Sequence, residues 1–169
     1  AGPSKHTTGC DSTHVESADM TINLIDNGPI TVGDTHEFRY TVPGNKAVPD
    51  LYPESEEFAA MPRVFATGFF VGLIEWACMD HLKASLPEGV ISLGVGVDIT
   101  HDAPATEGAE LVVRVTATGV GKRSAEWSVE VTAGDTVQGR GTHKRVVVDR
   151  EQFTDTVNNL ADSFGATQI

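Results

Sequence analysis

Cations are scarce in this chain. Twelve Lys and Arg stand against twenty-four Asp and Glu in 169 residues, a formal charge of −12. Nucleic-acid binding needs a basic footprint, and an anionic membrane repels an acidic protein, so neither partner class is expected. The acidic surplus is read as a solubilising surface. Cysteine is almost missing as well. Cys10 lies in a polar stretch and Cys78 in an apolar one, which excludes a cysteine-built zinc site and argues against a disulfide between them. Long apolar runs are absent too. The greasiest segment, residues 64–79, is too short for a bilayer and is interrupted by Glu75. The first residues lack the apolar core of a secretory signal. The expected setting is the reducing cytoplasm. Neither an internal repeat nor a low-complexity tract is visible.

What is present reads as one domain with short appendages. Residues 1–19, AGPSKHTTGCDSTHVESAD, carry almost no large apolar side chain. Such a leader cannot bury enough surface to order itself, and it is read as disordered or added for expression. Its His6 and His14 then carry no chemistry. Residues 20–30 form a lead-in, residues 31–153 the domain, and residues 154–169 a C-terminal helix or tail.

In HEFRYTV, residues 36–42, Phe38, Tyr40 and Val42 alternate with polar neighbours, the pattern of a half-buried strand. The Pro- and Gly-containing stretch VPGNKAVPDLYPESEEF predicts a long connection able to act as a lid. VFATGFFVGLIEWACMDHL, residues 64–82, is long enough for a helix of about four or five turns. Four strand-like segments follow: SLGVGVDITH, AELVVRVTATGV, SAEWSVEVTA and TVQGRGTHKRVVVD. The links GKR and GD between the last three segments are hairpin-short, so neighbouring strands should pair antiparallel. In the first of them, strict alternation places Leu93, Val95, Val97, Ile99 and His101 on one face. The result is an α+β fold, a sheet of about five antiparallel strands with one helix after the first strand. That helix is apolar on every side, so one face of one sheet cannot satisfy it. Either the sheet curves round it or a second subunit covers the rest, and both are features of the dimeric hot-dog fold.

The chemistry-bearing residues sit in or beside that helix. Glu75 is a carboxylate in apolar surroundings; if desolvated, its pKa should rise, which suits a base near neutral pH or a poorly hydrated nucleophile. The bland alternative is a structural carboxylate bonded to backbone or to a partner chain. Thr67 alone is a weak signal, because Thr near a helix start is commonly a cap. Eight residues separate Thr67 from Glu75, which is about 80° round a helix and about 12 Å along it. Direct contact within one helix is impossible. Either Thr67 precedes the helix, or the working site combines two protomers. His101 should face the helix and its Glu75. His143 reads as a structural inward residue and His81 as a solvated one.

The motifs LYPES at 51–55, VFATGFFVGLIEWAC at 64–78, SLG at 92–94, TH at 100–101 and GTHKR at 141–145 resemble the fluoroacetyl-CoA thioesterase-like family of hot-dog proteins. The similarity spans roughly residues 31–153. It implies hydrolysis of a short acyl-CoA by a Thr67, Glu75 and His101 set, in a homodimer, without a metal or other catalytic cofactor. It also implies that Gly94 lines the acyl pocket, with Phe65 and Met61 as further substrate contacts. Met61 stands where the fluoroacyl-selective members carry an aromatic lid residue, so strict fluoroacetyl selectivity is not implied. Coenzyme A is phosphorylated, and the Lys122–Arg123 hairpin tip is the first candidate to hold it, ahead of Arg140, Lys144 and Arg145. Two other readings stand beside this one: a hot-dog enoyl-CoA hydratase and a non-catalytic acyl-CoA-binding protein.

Overall fold

The computed structural model describes residues 23, 24 and 28–165. The reading of residues 1–19, with Cys10, His6 and His14, lies outside the described residues. Strand β1 (Thr35–Thr41) opens the domain. Two short helical turns follow, α1 (Val48–Leu51) and α2 (Glu56–Ala59), and then the long helix α3 (Thr67–Leu82), extended by a 3-10 turn at Lys83–Ser85. Strands β2 (Val90–Ile99), β3 (Glu110–Val120), β4 (Ser124–Ala133) and β5 (Thr136–Asp149) lead into helix α4 (Arg150–Ser163). The sheet has the order β1-β3-β4-β5-β2, and every pairing is antiparallel. The expected architecture is the observed one: a five-stranded antiparallel sheet against a central helix, the hot-dog fold.

Period-two alternation explains the layering. Leu111, Val113, Val115 and Ala117 of β3 face α3 together with Ala125, Trp127, Val129 and Val131 of β4, and all eight are buried. Phe70, Leu73, Ile74, Ala77, Cys78 and Leu82 of α3 meet them. The opposite face of the sheet is polar. Glu126 pairs with Lys144, Glu130 with Arg140, and Glu37 with Arg114 across neighbouring strands. Two of the cations considered for coenzyme A, Arg140 and Lys144, are thus engaged with carboxylates on that outer face.

Three local features shape the surroundings of the helix start. The connection expected to be a long loop contains α1 and α2; Ser55 caps α2 by accepting from Phe58 N, and Asp50 accepts from Ala47 N at 2.9 Å. Leu51 of α1 packs on Gly68, where a side chain would collide with it. The cap of α3 itself is Ala66, which has no side-chain acceptor to offer.

Strand β2 departs from strict alternation. Its register against β5 shifts between Gly94 and Gly96, so Val95 is an extra residue. Leu93 pairs with Val146 on the outer face, while Gly94, opposite Arg145, and Val97, opposite His143, point to the helix side. The expected common face of Leu93, Val95, Val97 and Ile99 is therefore broken. Val95 and Val97 remain 53% and 50% exposed, and β2 is an edge strand. The outer flank of α3 is open as well, with Trp76 52% and Met79 45% exposed.

Core and surface should respond differently to truncation. Leu82→Ala, at a fully buried site, should cost about 2–5 kcal/mol. Leu160→Ala, on the exposed side of α4, should stay within about 0.5 kcal/mol. Urea denaturation of the two variants checks both.

Candidate active site

Thr67 is the first residue of α3, and its Oγ1 lies 2.9 Å from Nδ1 of His101. His101 follows the end of β2, its backbone set by its neighbours: Thr100 N donates to Arg140 O and Asp102 N to Gln138 O, both at 2.7 Å. The imidazole stacks on Phe70, with centroids 4.4 Å apart and planes inclined by 12°. Burial pushes the His101 pKa down, against a smaller opposing pull from Asp102, which favours the neutral ring; with its proton on Nε2, that ring accepts from the Thr67 hydroxyl at Nδ1. Its Nε2 is buried and has no hydrogen-bond partner among the described residues.

The pair opens on a cavity of about 300 Å³ whose lining includes Val48, Met61, Phe65, Ala103 and Pro104. Phe65 is buried, and Met61 stands 49% exposed at the mouth. The start of α3 is also a source of donors. The first four N–H groups of a helix have no intrahelical partner, and Ala66 cannot cap them. They carry the positive end of the helix dipole beside Thr67.

Glu75 lies two turns further along and belongs to a different cluster. Its Oε1 is 3.7 Å from Nη1 of Arg145 and 3.9 Å from Nε2 of His143. The Glu75 side chain is 41% exposed, so the expected desolvation of this carboxylate is not met within one chain. Its neighbours are the buried groups: Arg145 and His143 are 4% and 2% exposed. Gly94 completes the cluster, since a Cβ there would run into Glu75 Oε1 and approach His143 Cε1. A glycine at this position lets the carboxylate lie against the strand. Burial, and then Arg145, push the His143 pKa down, opposed by Glu75 and a backbone bond to Gly96. Burial likewise pushes the Cys78 thiol up to about 12, with Arg145 lowering it and Glu75 raising it.

One chain thus brings Thr67, His101, Phe65 and Met61 together, and gathers Glu75 with Gly94. It does not bring the two groups into contact. Lys122 and Arg123 lie at the far end of the sheet from His101: Lys122 O accepts from Leu24 N, and Arg123 O from Val147 N, whose residue pairs with Ser92 near the start of β2. Sequence reasoning weighed Arg145 only as a lesser candidate for the coenzyme A phosphates and read His143 as structural. The alternation of β5, which points His143, Arg145 and Val147 to one side, was the available signal. His81 is not solvated as expected: Trp127 Nε1 donates to its Nδ1 at 3.2 Å, and it stacks on His36. Among the described residues, no group of three or more His, Cys, Asp or Glu is arranged to hold a metal ion.

A curved antiparallel sheet on one long helix, with a Thr–His pair at the helix start, defines a hot-dog protein of the thioesterase kind. The comparisons narrow this. Residues 50–151 match the family model for FlK, the fluoroacetyl-CoA-specific thioesterase. A fluoroacetyl-CoA thioesterase from Streptantibioticus cattleyicolor is 42% identical over 122 residues, covering 72% of this chain and 88% of that protein. A solved structure of FlK superposes with a TM-score of 0.76 at 40% identity, covering 78% of this chain and 97% of that one. A phenylalanine-to-alanine variant of FlK in complex with fluoroacetate and CoA gives 0.71 at 41% identity, over 73% and 99% of the two chains. A Thermus thermophilus thioesterase-superfamily protein shares the fold at 22% identity, with a TM-score of 0.71 over 82% and 98%. The chain belongs to the fluoroacetyl-CoA-specific thioesterase family.

The buried imidazoles make stability pH-dependent. His81, His101 and His143 are all pushed below the ordinary value of 6.5, by burial first. Between the folded and unfolded values, the unfolded chain binds more protons, so stability falls as pH drops through about 6.5. The lowered carboxylates Asp50 and Asp80, each bonded first to a basic side chain, add a further loss in more acidic solution. The urea midpoint should be flat above about pH 7.5 and decline toward about pH 5.5. A midpoint that holds constant across that range contradicts the assignment.

Proposed function

We propose that this chain hydrolyses short-chain acyl-CoA thioesters to the free acid and coenzyme A, as a homodimer. The observation that carries the reading is the 2.9 Å contact of Thr67 Oγ1 with His101 Nδ1 beside an uncapped helix start and a small apolar cavity. The acyl group enters that cavity. Backbone N–H groups at the start of α3 receive the carbonyl oxygen and stabilise the charge that develops on it. Thr67 Oγ attacks the carbonyl carbon as its proton passes to His101, and the same proton leaves with the coenzyme A thiolate. Water then attacks the acyl-threonine; Glu75 takes the water's proton and returns it to the departing Thr67 oxygen, which releases the free acid and restores both side chains. The scheme uses protein groups and water alone.

Glu75 reaches that site from the other subunit. Strand β2 is an edge with exposed Val95 and Val97, the kind of edge that recruits another strand. Antiparallel pairing of two β2 strands about a two-fold axis sets the Gly94 region of one beside the far end of the other. Glu75, under Gly94, then approaches the partner subunit's His101. The same two-fold turns the Lys122–Arg123 end of one protomer toward the Thr67 end of the other, where those cations would serve the coenzyme A phosphates. Met61 at the cavity mouth is unbranched and flexible, and admits acyl groups beyond fluoroacetyl. The free, buried Cys78 fits a reducing cytoplasm, the setting we propose.

Free-thiol release from acetyl-, fluoroacetyl-, propionyl- and butyryl-CoA tests this. At least one ester should turn over to free acid, and both Glu75→Gln and His101→Ala should lose about a hundredfold or more in kcat/KM. With His101 as base, the acid limb of kcat/KM should fall below the ordinary imidazole value, as its lowered pKa requires. Saturable binding without turnover, or a 3-hydroxyacyl product, would sink the thioesterase reading.

A further inference from the structure

Arg145 is an unusual residue for the inside of a sheet. Its guanidinium is buried, and its contacts come from its own chain: Nε donates to Ser92 Oγ at 2.9 Å, Nη2 to Ser92 O at 2.8 Å, and Nη1 to His143 Nε2 at 3.2 Å. The same Nη1 is the atom 3.7 Å from Glu75 Oε1. Ser92 therefore fixes one edge of the fork and His143 the other, leaving the cation aimed at Glu75. Guanidinium has no acceptor atom, so the bond to His143 runs from arginine to imidazole. This requires Nε2 without a proton and places the ring proton on Nδ1. His143 is itself immobilised. Its ring stacks on Trp127 at 6.5 Å with planes 23° apart, and the Trp127 indole is anchored through His81. A Cβ built on Gly94 would come within 3.4 Å of the ring's Cε1, so the imidazole has close company at that strand position.

We propose that His143 is a positioning residue for the reaction: through Nε2 it holds the Arg145 guanidinium in the orientation that faces Glu75, and so sets where the Glu75 carboxylate stands. The inference rests on the reading of Glu75 as a reacting group. A neutral imidazole suits the task, because an apolar ring would leave Nη1 without an acceptor and a charged ring would repel the guanidinium. His143 Nε2 stands 3.9 Å from Glu75 Oε1, beyond hydrogen-bond distance; its hydrogen bond is with Arg145, and its effect passes through that residue.

Two substitutions separate positioning from packing. His143→Phe keeps a ring against Trp127 and removes the acceptor. His143→Gln removes the ring and keeps an amide oxygen able to accept from Nη1. The expected result is a loss of about ten- to a hundredfold in kcat with little change in KM for His143→Phe, and substantial recovery in His143→Gln. In a Glu75→Gln background the His143→Phe change should cost nothing further. A readout independent of turnover is the NMR signal of the Arg145 guanidinium. Distinct Nη1 and Nη2 resonances are expected in the parent protein and in His143→Gln, and a merged, freely rotating group in His143→Phe.

If the parent protein cleaves no acyl-CoA, the thioesterase reading fails, and the guanidinium spectra still decide whether His143 holds Arg145. If Glu75→Gln abolishes turnover while His143→Phe matches the parent, the positioning role is wrong and the thioesterase reading stands. His143→Phe spectra with Arg145 still rigid, or a loss that His143→Gln deepens instead of relieving, overturns the proposal as well.

Discussion

The spacing of two side chains on one helix governs everything at this site. Thr67 and Glu75 are eight residues apart in α3, a separation of about 12 Å along the axis that no rotamer change can close. Thr67 gains His101 from the end of β2, and Glu75 gains Arg145 and His143 from the middle of β5. Two half-sites result, and neither alone holds all three of Thr67, His101 and Glu75 together. The exposed edge of β2 beside Gly94 is where a second copy would unite them.

The apolar character of α3 follows from the same arrangement. Its inner side fills the concave face of the sheet through Phe70, Leu73, Ile74 and Ala77. Its first turn, which has no side-chain cap, presents the positive end of the helix dipole, and its third turn carries the carboxylate. A buried guanidinium without a counter-charge would cost several kcal/mol, on the order expected for an unpaired interior ion. Glu75 supplies that counter-charge, while Gly94 leaves it the room to do so. The carboxylate in the greasy segment is thus tied both to the core, through Arg145, and to the open flank where Trp76 and Met79 are exposed.

Much of this was legible in the sequence. Alternation in β1, β3 and β4 marked the inward residues, and two hairpin-short links marked the β3-β4 and β4-β5 pairings; the β1-β3 and β2-β5 pairings join strands distant in sequence and carry no such mark. Thr67, Glu75 and His101 stood out as candidates from an apolar helix with two polar interruptions, strand parity and family resemblance together, and the structure pairs Thr67 with His101 while Glu75 sits with Arg145 and His143. Legibility failed where one residue changed the periodicity: the extra Val95 between Gly94 and Gly96 moves Leu93 to the outer face, and no propensity marks which glycine carries a bulge. It failed again at Arg145, since a cation in a basic run reads as surface until the register opposite Gly94 is known. His81 was misjudged because its partner, Trp127, lies 46 residues away. The exposure of Glu75 depends on what covers the α3 flank, which the residue pattern does not record.

The central claim is that the working site is shared between subunits, and subunit complementation tests it most directly. Thr67→Ala and Glu75→Gln chains carrying different tags would be co-expressed, and the mixed dimers isolated and assayed beside each parent variant. A shared site predicts that the mixed dimer recovers about half of the unmodified activity, because one of its two sites then holds Thr67, His101 and Glu75 all intact. Mixed dimers as inactive as either variant alone, or full activity in a protein that is monomeric at assay concentration, would contradict it.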